Sequence, residues 1–178
     1  MDAMVPKKIL IVEDSILNAQ ITAAILKKYG YITEVVCTGE GALEKVRSSQ
    51  CPDLVLMDIE LGQGINGIDT ARIIQSMRNI PVVFLTANAS QRIMEQIRSV
   101  TAYGYVIKST DRYALLSAVE MAIARWRTEK ALQLYRCLVE NALNEIYIFH
   151  IEAFNFIAVN RVARENLGYT MEELYNMT

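Results

Sequence analysis

The chain has 178 residues, which is more than one small domain needs and short for two complete domains. Its 52% hydrophobic and 21% charged residues are typical of a globular protein with a sizeable core, and they exclude a disordered chain. A formal net charge of -2 gives no electrostatic reason to expect a nucleic-acid partner or an anionic membrane.

The targeting and redox features of the sequence predict a cytoplasmic protein. No apolar run approaches the ~20 residues that would span a bilayer. The first six residues lack the apolar stretch of a secretory signal. Cys37, Cys51 and Cys137 have neither metal-ligand nor paired spacing, so we interpret them as reduced thiols.

Four short apolar runs in the sequence each lead into a polar residue suited to phosphoryl chemistry. The runs, each with the polar residues that follow, are 8–12 with Glu13 and Asp14, 54–57 with Asp58, 81–85 with Thr86, and 103–107 with Lys108. Short apolar runs bounded by turn signals are typical of buried parallel strands. Because ligands bind at the carboxyl ends of such strands, we expect these polar side chains to converge at one edge of a sheet.

Helical patterns between these runs predict an α/β protein. A fifth strand is predicted at 31–36, with helices at 16–29, 41–48, 68–77 and 90–100 and a long helix after Asp111. Right-handed crossovers of these lengths give a doubly wound, flavodoxin-like sheet of five parallel strands in the order 2-1-3-4-5, with helices on both faces.

Two of these helices carry apolar residues at a spacing that predicts their buried faces. In helix 16–29 the residues are Leu17, Ile21, Ala24 and Ile25. In the long helix they are Leu115, Val119, Ala122 and Trp126. We therefore expect both stripes to pack on the sheet.

A glycine-rich segment, Gly62-Gln63-Gly64-Ile65-Asn66-Gly67, precedes the helix at 68–77. A loop that cradles phosphate would continue into Gly-Lys-Ser/Thr, and no such sequence follows. We interpret the segment as a flexible loop that re-enters a helix.

The helical pattern continues without Gly or Pro through 128–141. Leu134, Leu138 and Ala142 lie on one stripe there, which Ala131 extends. This stripe is compatible with pairing between two copies of the chain and with packing on its own domain, and the sequence leaves both open.

The last residues predict a different kind of structure. Residues 145–150 and 154–160 are typical of a hairpin, and helix 161–167 closes at Gly168. Thr170 and Glu173 have the spacing of a capping box. A hairpin with two short helices cannot bury a full core, so we expect only the start of a second domain here.

The predicted cluster of acids has a definite chemistry. A carboxylate can take a phosphoryl group from an activated donor, but both reactants are anionic. Mg²⁺ offsets this repulsion, because it prefers oxygen and is often held by one or two carboxylates plus substrate phosphate. Glu13, Asp14 and Asp58 would supply such a site. Lys108 could pair with Asp58 or its phosphate, and Thr86 could donate its hydroxyl to a phosphoryl oxygen.

These residues occur in the order that one protein family shows. The chain from about Val5 to Arg127 resembles the receiver domain of two-component response regulators. The resemblance implies that Asp58 is the phosphoacceptor. It also implies that Glu13, Asp14 and Asp58 hold Mg²⁺ together with the backbone carbonyl of Glu60. The phosphodonor would be a histidine kinase or a phosphotransfer protein.

The same resemblance implies a switch. Thr86 would be the hydroxyl that moves toward the phosphoryl group, Tyr105 the aromatic residue that rotates with it, and Lys108 the ion-pair partner. The sequence departs from the family pattern at two places. Ser109 stands where receivers usually have a proline after a cis bond, and the segment from Asp58 to Gly67 lacks the usual proline and is one residue longer.

The C-terminal part, from about Leu134, resembles the start of a PAS sensory domain, on the predicted hairpin and on residues 166–174. The resemblance implies a receiver at 5–127, a connecting helix at 128–141 and a truncated PAS domain at 142–178. It covers less than half of a PAS domain, so no PAS ligand is assigned. His150 lies in a strand pattern, and we do not expect it to be a phosphodonor.

Two functions are compatible with the sequence. In the first, the receiver accepts a phosphoryl group on Asp58 with Mg²⁺ and relays a conformational change to the PAS segment, without a separate enzymatic output. The alternative is a non-catalytic interaction module that forms a homodimer through the connecting helix, in which phosphorylation is incidental. A phosphatase with an aspartyl intermediate is disfavoured, because Glu60 rather than a second Asp lies two residues beyond Asp58.

Overall fold

Strands and helices alternate along the first part of the chain. The computed structural model describes residues 6–87, 91–98, 100–108, 111–153 and 155–176, which fall into two units, Met1–Trp126 and Arg127–Thr178. The strands of the first unit are β1 (Lys8–Val12), β2 (Ile32–Val36), β3 (Leu54–Asp58), β4 (Val82–Thr86) and β5 (Ala102–Ile107). Its helices are α1 (Ile16–Lys28), α2 (Gly39–Arg47), α3 (Gly67–Met77), α4 (Gln91–Arg98) and α5 (Arg112–Glu140), the last of which continues into the second unit.

The five strands form one parallel sheet in the order β2-β1-β3-β4-β5, which confirms the predicted topology. Its register aligns the carboxyl ends of the central strands. Val12 lies opposite Met57, Asp58 opposite Leu85, and Thr86 opposite Ile107. The residues that follow these strands therefore emerge at the same edge.

The sheet separates two apolar layers, because successive side chains of a strand point to opposite faces. Leu10 and Val12 of β1 belong to the layer shared with helices α2, α3 and α4. Ile9 and Ile11 belong to the layer shared with α1 and α5. All four side chains are buried, which explains why the sequence of β1 is a continuous apolar run.

Helix α1 packs on the sheet through a different face from the predicted one. Leu17 and Ile21 are 66% and 52% exposed, and the buried residues are Ala19, Ala23 and Leu26. Of the predicted stripe, Ala24 is also exposed and Ile25 is partly buried against the core. The prediction was wrong because the helix is apolar on more than one side and its small alanines lie against the sheet.

Helix α5 is a single helix of 29 residues, which joins the predicted last helix and the predicted connecting helix. Leu115, Val119 and Ala122 are buried as predicted, whereas Trp126 is only partly buried. The Trp126 indole N–H donates to the backbone carbonyl of Asn79, at 3.1 Å. Among the described residues, no helix combines the length and apolarity needed to cross a membrane.

The second unit contains the predicted hairpin and two short helices. These elements are β6 (Tyr147–Phe149), β7 (Phe156–Val159), α6 (Arg161–Leu167) and α7 (Met171–Tyr175). The strands pair antiparallel, Gly168 ends α6 with a φ of 74°, and the Thr170–Glu173 capping box is present. Val159, Ala163 and Leu174 form a small core of their own.

Asn160 is the buried polar centre of this second unit. Its side-chain oxygen accepts the backbone N–H groups of Ile146 and Ala163. Its amide nitrogen lies within hydrogen-bond distance of three carbonyl oxygens, those of Val139, Ala142 and Asn144. The end of α5, the start of the hairpin and the first turn of α6 therefore share one side chain, and because that side chain is buried, the loss of these bonds would be costly.

The burial of α1 predicts how substitutions on its two faces should differ. Leu26→Ala removes a fully buried side chain, so we expect it to lower the free energy of unfolding by about 3 kcal/mol. Leu17→Ala makes the same change on the exposed face and should cost less than about 1 kcal/mol. Urea unfolding followed by the fluorescence of Trp126, the single tryptophan, measures both. Equal losses in the two variants would contradict the orientation of α1.

Candidate acidic phosphoryl site

Three carboxylates meet at the carboxyl edge of the sheet. Glu13 follows β1, and its backbone N–H donates to the carbonyl of Val36 at 3.1 Å, so the sheet pairing extends to this residue. Asp58 is the last residue of β3. Carboxylate oxygens of Glu13, Asp14 and Asp58 all lie within 4.8 Å of one another. Glu13 and Asp58 are buried, whereas Asp14 is exposed.

Lys108 is the cation that faces two of these acids. Its Nζ atom lies 2.7 Å from Asp58 Oδ2 and 2.8 Å from Glu13 Oε2. The Lys108 backbone is fixed at the end of β5, because its N–H donates to the carbonyl of Thr86 at 2.8 Å. The sheet therefore places the ammonium group directly between two buried carboxylates.

This arrangement changes the proton affinity of both partners. Burial raises the pKa of Asp58 above its usual value, and the nearby charge of Glu13 adds to the increase, although the hydrogen bond from Lys108 opposes it. For Lys108, burial lowers the pKa, but the hydrogen bonds to Asp58 and Glu13 outweigh this effect, so its pKa is raised overall. The ammonium form of Lys108 is thus stabilised beside a carboxylate that is costly to ionise.

The loop after β3 contacts the second oxygen of Asp58. The backbone N–H of Glu60 donates to Asp58 Oδ1 at 3.2 Å. The loop closes where the N–H of Gly67 donates to the carbonyl of Ile59 at 3.2 Å. A Cβ atom at Gly67 would lie 1.8 Å from the backbone oxygen of Asp58, so only glycine fits at the start of α3.

The two predicted switch residues lie on neighbouring strands. Thr86 ends β4 and is buried, and it pairs across the sheet with Ile107. Tyr105, two residues earlier on β5, is 49% exposed. The structure thus places Thr86 at the acidic edge and Tyr105 at the surface. Ser109, the other position of interest on this side, lies outside the described residues.

Two polar contacts of the site were missed in the sequence. Asn18, in the first turn of α1, donates from Nδ2 to Glu13 Oε1 at 3.4 Å. The backbone N–H of Gly62 donates to Asp14 Oδ2 at 3.0 Å. A polar residue in the first turn of the helix that follows Glu13 was a usable signal for the contact between Asn18 and Glu13. The second involves a backbone donor 48 residues away, which leaves no side-chain pattern.

The donor set fits a hard divalent cation. Glu13, Asp14 and Asp58 present only oxygen ligands, as Mg²⁺ prefers, and Asp14 is exposed to solvent. The same acids carry more negative charge than Lys108 neutralises. A cation at this edge would therefore reduce a repulsion that the fold itself creates.

A family comparison decides the identity of the fold. The model described as "Response regulator receiver domain" matches residues 9–120. The chain belongs to the response regulator receiver family. Receiver domains generally bind Mg²⁺ at an acidic pocket and take phosphoryl groups from histidine kinases, and the cluster of Glu13, Asp14 and Asp58 in this receiver is consistent with such a pocket.

Individual relatives agree with this assignment. The chain is 36% identical over 134 residues to the transcriptional regulatory protein PdtaR of Mycobacterium tuberculosis, a match that covers 74% of this chain and 64% of PdtaR. The chain thus spans less than two thirds of that relative's length.

Solved structures resemble the receiver as well. The N-terminal domain of a response regulator/sensory box/GGDEF 3-domain protein from Carboxydothermus hydrogenoformans is 54% identical, with a TM-score of 0.66, covering 69% of this chain and 98% of that domain. The signal receiver domain of a modulated diguanylate cyclase from Desulfovibrio desulfuricans G20 is 29% identical, with a TM-score of 0.65, covering 70% and 99%. Both similarities cover about the length of the receiver alone.

The raised pKa of Asp58 predicts a pH-dependent stability. Folding is favoured while this carboxyl is protonated, and that contribution is lost as the pH rises through the folded-state pKa. Without divalent cations at neutral pH, Asp58→Asn should therefore have a higher melting temperature than the wild type. The difference should shrink as the pH is lowered.

A matched control is available at the other end of β3. Asp53 accepts hydrogen bonds from Lys7 Nζ at 2.7 Å and from the Lys8 backbone N–H at 2.8 Å, so its carboxylate is well paired. We expect Asp53→Asn to give no gain in melting temperature. Thermal melts in EDTA between acidic and neutral pH test both variants, and a lower melting temperature for Asp58→Asn at neutral pH would contradict the assigned burial cost.

Proposed function

We propose that this protein is the phosphoacceptor receiver of a two-component phosphorelay, which accepts a phosphoryl group on Asp58. The observation that carries the proposal is the placement of Lys108 Nζ between the buried carboxylates of Asp58 and Glu13, with Asp14 beside them. A structural ion pair needs one acid for one base. Three converging acids around one ammonium group favour a site for chemistry on an anionic substrate instead.

In the proposed reaction, a carboxylate oxygen of Asp58 attacks the phosphorus atom of a phosphohistidine on a kinase or phosphotransfer protein. A new P–O bond forms as the P–N bond of the donor breaks, and the histidine leaves with the bonding electrons. Mg²⁺ held by Glu13, Asp14, Asp58 and the carbonyl of Glu60 would supply charge neutralisation for the two anions. Lys108 remains within reach of the acceptor and pairs with the product.

The proposed signal is a change of packing around β4 and β5. The new phosphoryl group would accept a hydrogen bond from the Thr86 hydroxyl, and Tyr105 would turn inward into the space that Thr86 leaves. Burial of Thr86 and exposure of Tyr105 support an unphosphorylated starting state for this exchange. The helix α5 begins four residues after Lys108 and would carry the change onward.

We further propose that the chain consists of a receiver at 5–127, a connecting helix at 128–141 and the start of a PAS domain at 142–178. The hairpin, the capping box and the separate small core of the second unit support this division. The Carboxydothermus protein, a response regulator/sensory box/GGDEF 3-domain protein, combines a sensory box with a response regulator domain and offers a precedent for the order. The cytoplasmic location and the absence of nucleic-acid, membrane and separate enzymatic functions stay predictions.

A second candidate function is a dimerising interaction module in which phosphorylation is incidental. The observation that favours it is the stripe on the second half of α5. Leu134 and Leu138 are each 59% exposed, and Tyr135 beside them is also exposed. Exposed leucines at this spacing are typical of a helix that pairs with another helix.

Phosphate incorporation tests the first function. With Mg²⁺ and a small acyl phosphate, the wild-type protein should gain one acid-labile phosphoryl group, seen as a mass increase. Asp58→Asn should abolish the incorporation, because the nucleophile is gone. Asp53→Asn, the same change at the opposite end of β3, should retain it. Persistent acid-labile phosphate in Asp58→Asn would contradict the assignment of the acceptor.

Mass measurement in solution tests the second function. If α5 pairs with a second copy, the wild-type protein should be a dimer by light scattering at micromolar concentration. A Leu134→Glu and Leu138→Glu double variant should be a monomer, because it places charges on the apolar stripe. Gln133→Glu, an exposed change directly before Leu134, should remain a dimer. A monomeric wild-type protein at all concentrations would exclude this function.

A further inference from the structure

The glycine-rich segment Gly62–Gly67 is held in place on three sides and is not a loosely attached loop. The N–H of Gly62 donates to Asp14 Oδ2 at 3.0 Å, and the N–H of Ile65 donates to Glu40 Oε1 at 3.1 Å. The N–H of Gly67 closes the segment on the carbonyl of Ile59. The segment enters α3 at Gly67, as predicted, and these backbone hydrogen bonds hold it near its start, middle and end.

Each glycine of the segment allows a close approach to a different partner. A Cβ atom at Gly62 would lie 2.8 Å from Asp14 Oδ2. At Gly64, where φ is +80°, it would lie 2.5 Å from Glu40 Oε1. The Glu40 carboxylate thus occupies the space over Gly64 while it accepts the N–H of the next residue, Ile65. The absence of side chains permits these contacts.

Glu40 is attached to a rigid support. It lies in the first turn of α2, whose N-cap Thr38 accepts the N–H of Gly41 at 3.1 Å. The same turn presses against the segment, because a Cβ atom at Gly39 would lie 2.8 Å from the carbonyl oxygen of Ile65. Helix α2 therefore restricts Ile65, together with Thr70 of α3, whose hydroxyl donates to the Ile65 carbonyl at 3.5 Å.

We infer that Glu40 is a positioning residue for the metal site. The Glu40 carboxylate holds the N–H of Ile65 and thereby restricts the backbone between Gly62 and Ile65. The N–H of Gly62 in turn orients the exposed carboxylate of Asp14. This inference rests on the proposed function, in which Asp14 is a Mg²⁺ ligand. Glu40 touches neither the acceptor nor the cation, and acts through the loop backbone.

The physical basis is the cost of ordering an exposed ligand. A carboxylate that must be fixed on binding loses rotamer freedom, whereas one already held by a hydrogen bond binds its cation with less loss. The loss of one hydrogen bond of this kind corresponds to roughly a three- to tenfold weaker equilibrium. We therefore expect an effect of this size on the affinity for Mg²⁺.

Calorimetric titration of the full chain with Mg²⁺ tests the inference. Glu40→Ala should weaken binding by roughly three- to tenfold, because Ile65 loses its acceptor. Glu40→Gln removes the charge but keeps an acceptor oxygen, so its affinity should stay within about twofold of the wild type. Glu44→Ala, an equal loss of charge on the exposed surface of the same helix, should also stay within about twofold.

The two glutamate variants separate position from charge. Equal weakening in Glu40→Gln and Glu40→Ala would overturn the inference, since the charge alone would then explain it. An unchanged affinity in Glu40→Ala would overturn it as well.

Two further measurements keep the test decisive. Gly64→Ala displaces the Glu40 carboxylate and also strains the backbone at a φ of +80°, so it should weaken Mg²⁺ binding at least as much as Glu40→Ala does. It replaces Glu40→Ala if that variant does not fold. Wild-type affinity in that folded variant would count against the inference. A wild-type protein that fails to bind Mg²⁺ at millimolar concentration would instead remove the proposed function on which the inference rests.

Discussion

The contact between one ammonium group and two buried carboxylates is the constraint on which the site depends. Lys108 Nζ lies within 2.8 Å of both Asp58 and Glu13, and Asp14 brings a third acid to the same edge. Three carboxylates and one ammonium leave two negative charges, which is the charge that one Mg²⁺ ion balances. Addition of a phosphoryl group to Asp58 would disturb this balance again, so the proposed signal begins as an electrostatic change at a position that the sheet holds rigidly.

The sequence was sufficient to predict this edge of the sheet. Parallel strands in register bring their carboxyl ends together, so a polar residue after each apolar run must lie near the others. Asp58 and Thr86 are the last residues of β3 and β4, and Lys108 comes directly after β5. The prediction depended on where each strand ends, which leaves a clear pattern in the sequence, and on the strand order, which was inferred from right-handed crossovers.

The parts that the sequence did not predict depend on contacts between remote segments. Helix α1 is apolar on more than one side, so its buried face is decided by how closely Ala19 and Ala23 let it approach the sheet. The contact of Gly62 with Asp14 joins a backbone donor to an acid 48 residues away, and the contact of Ile65 with Glu40 spans 25 residues. Backbone donors have no residue type, so no spacing rule detects them. The glycines themselves were the available signal, because each marks a close approach.

Helix α5 is continuous over its whole length of 29 residues. No Gly or Pro interrupts the sequence between Arg112 and Glu140, and the whole stretch is one helix. Kinks arise mainly at such residues, which accounts for the uninterrupted course of this helix. At its other end, Asn160 bonds to the carbonyl of Val139, and the Arg164 guanidinium pairs with Glu140. The last turn of α5 is therefore bonded to the residue that follows the hairpin and to α6, and because the Asn160 side chain is buried, the loss of its hydrogen bonds would be costly.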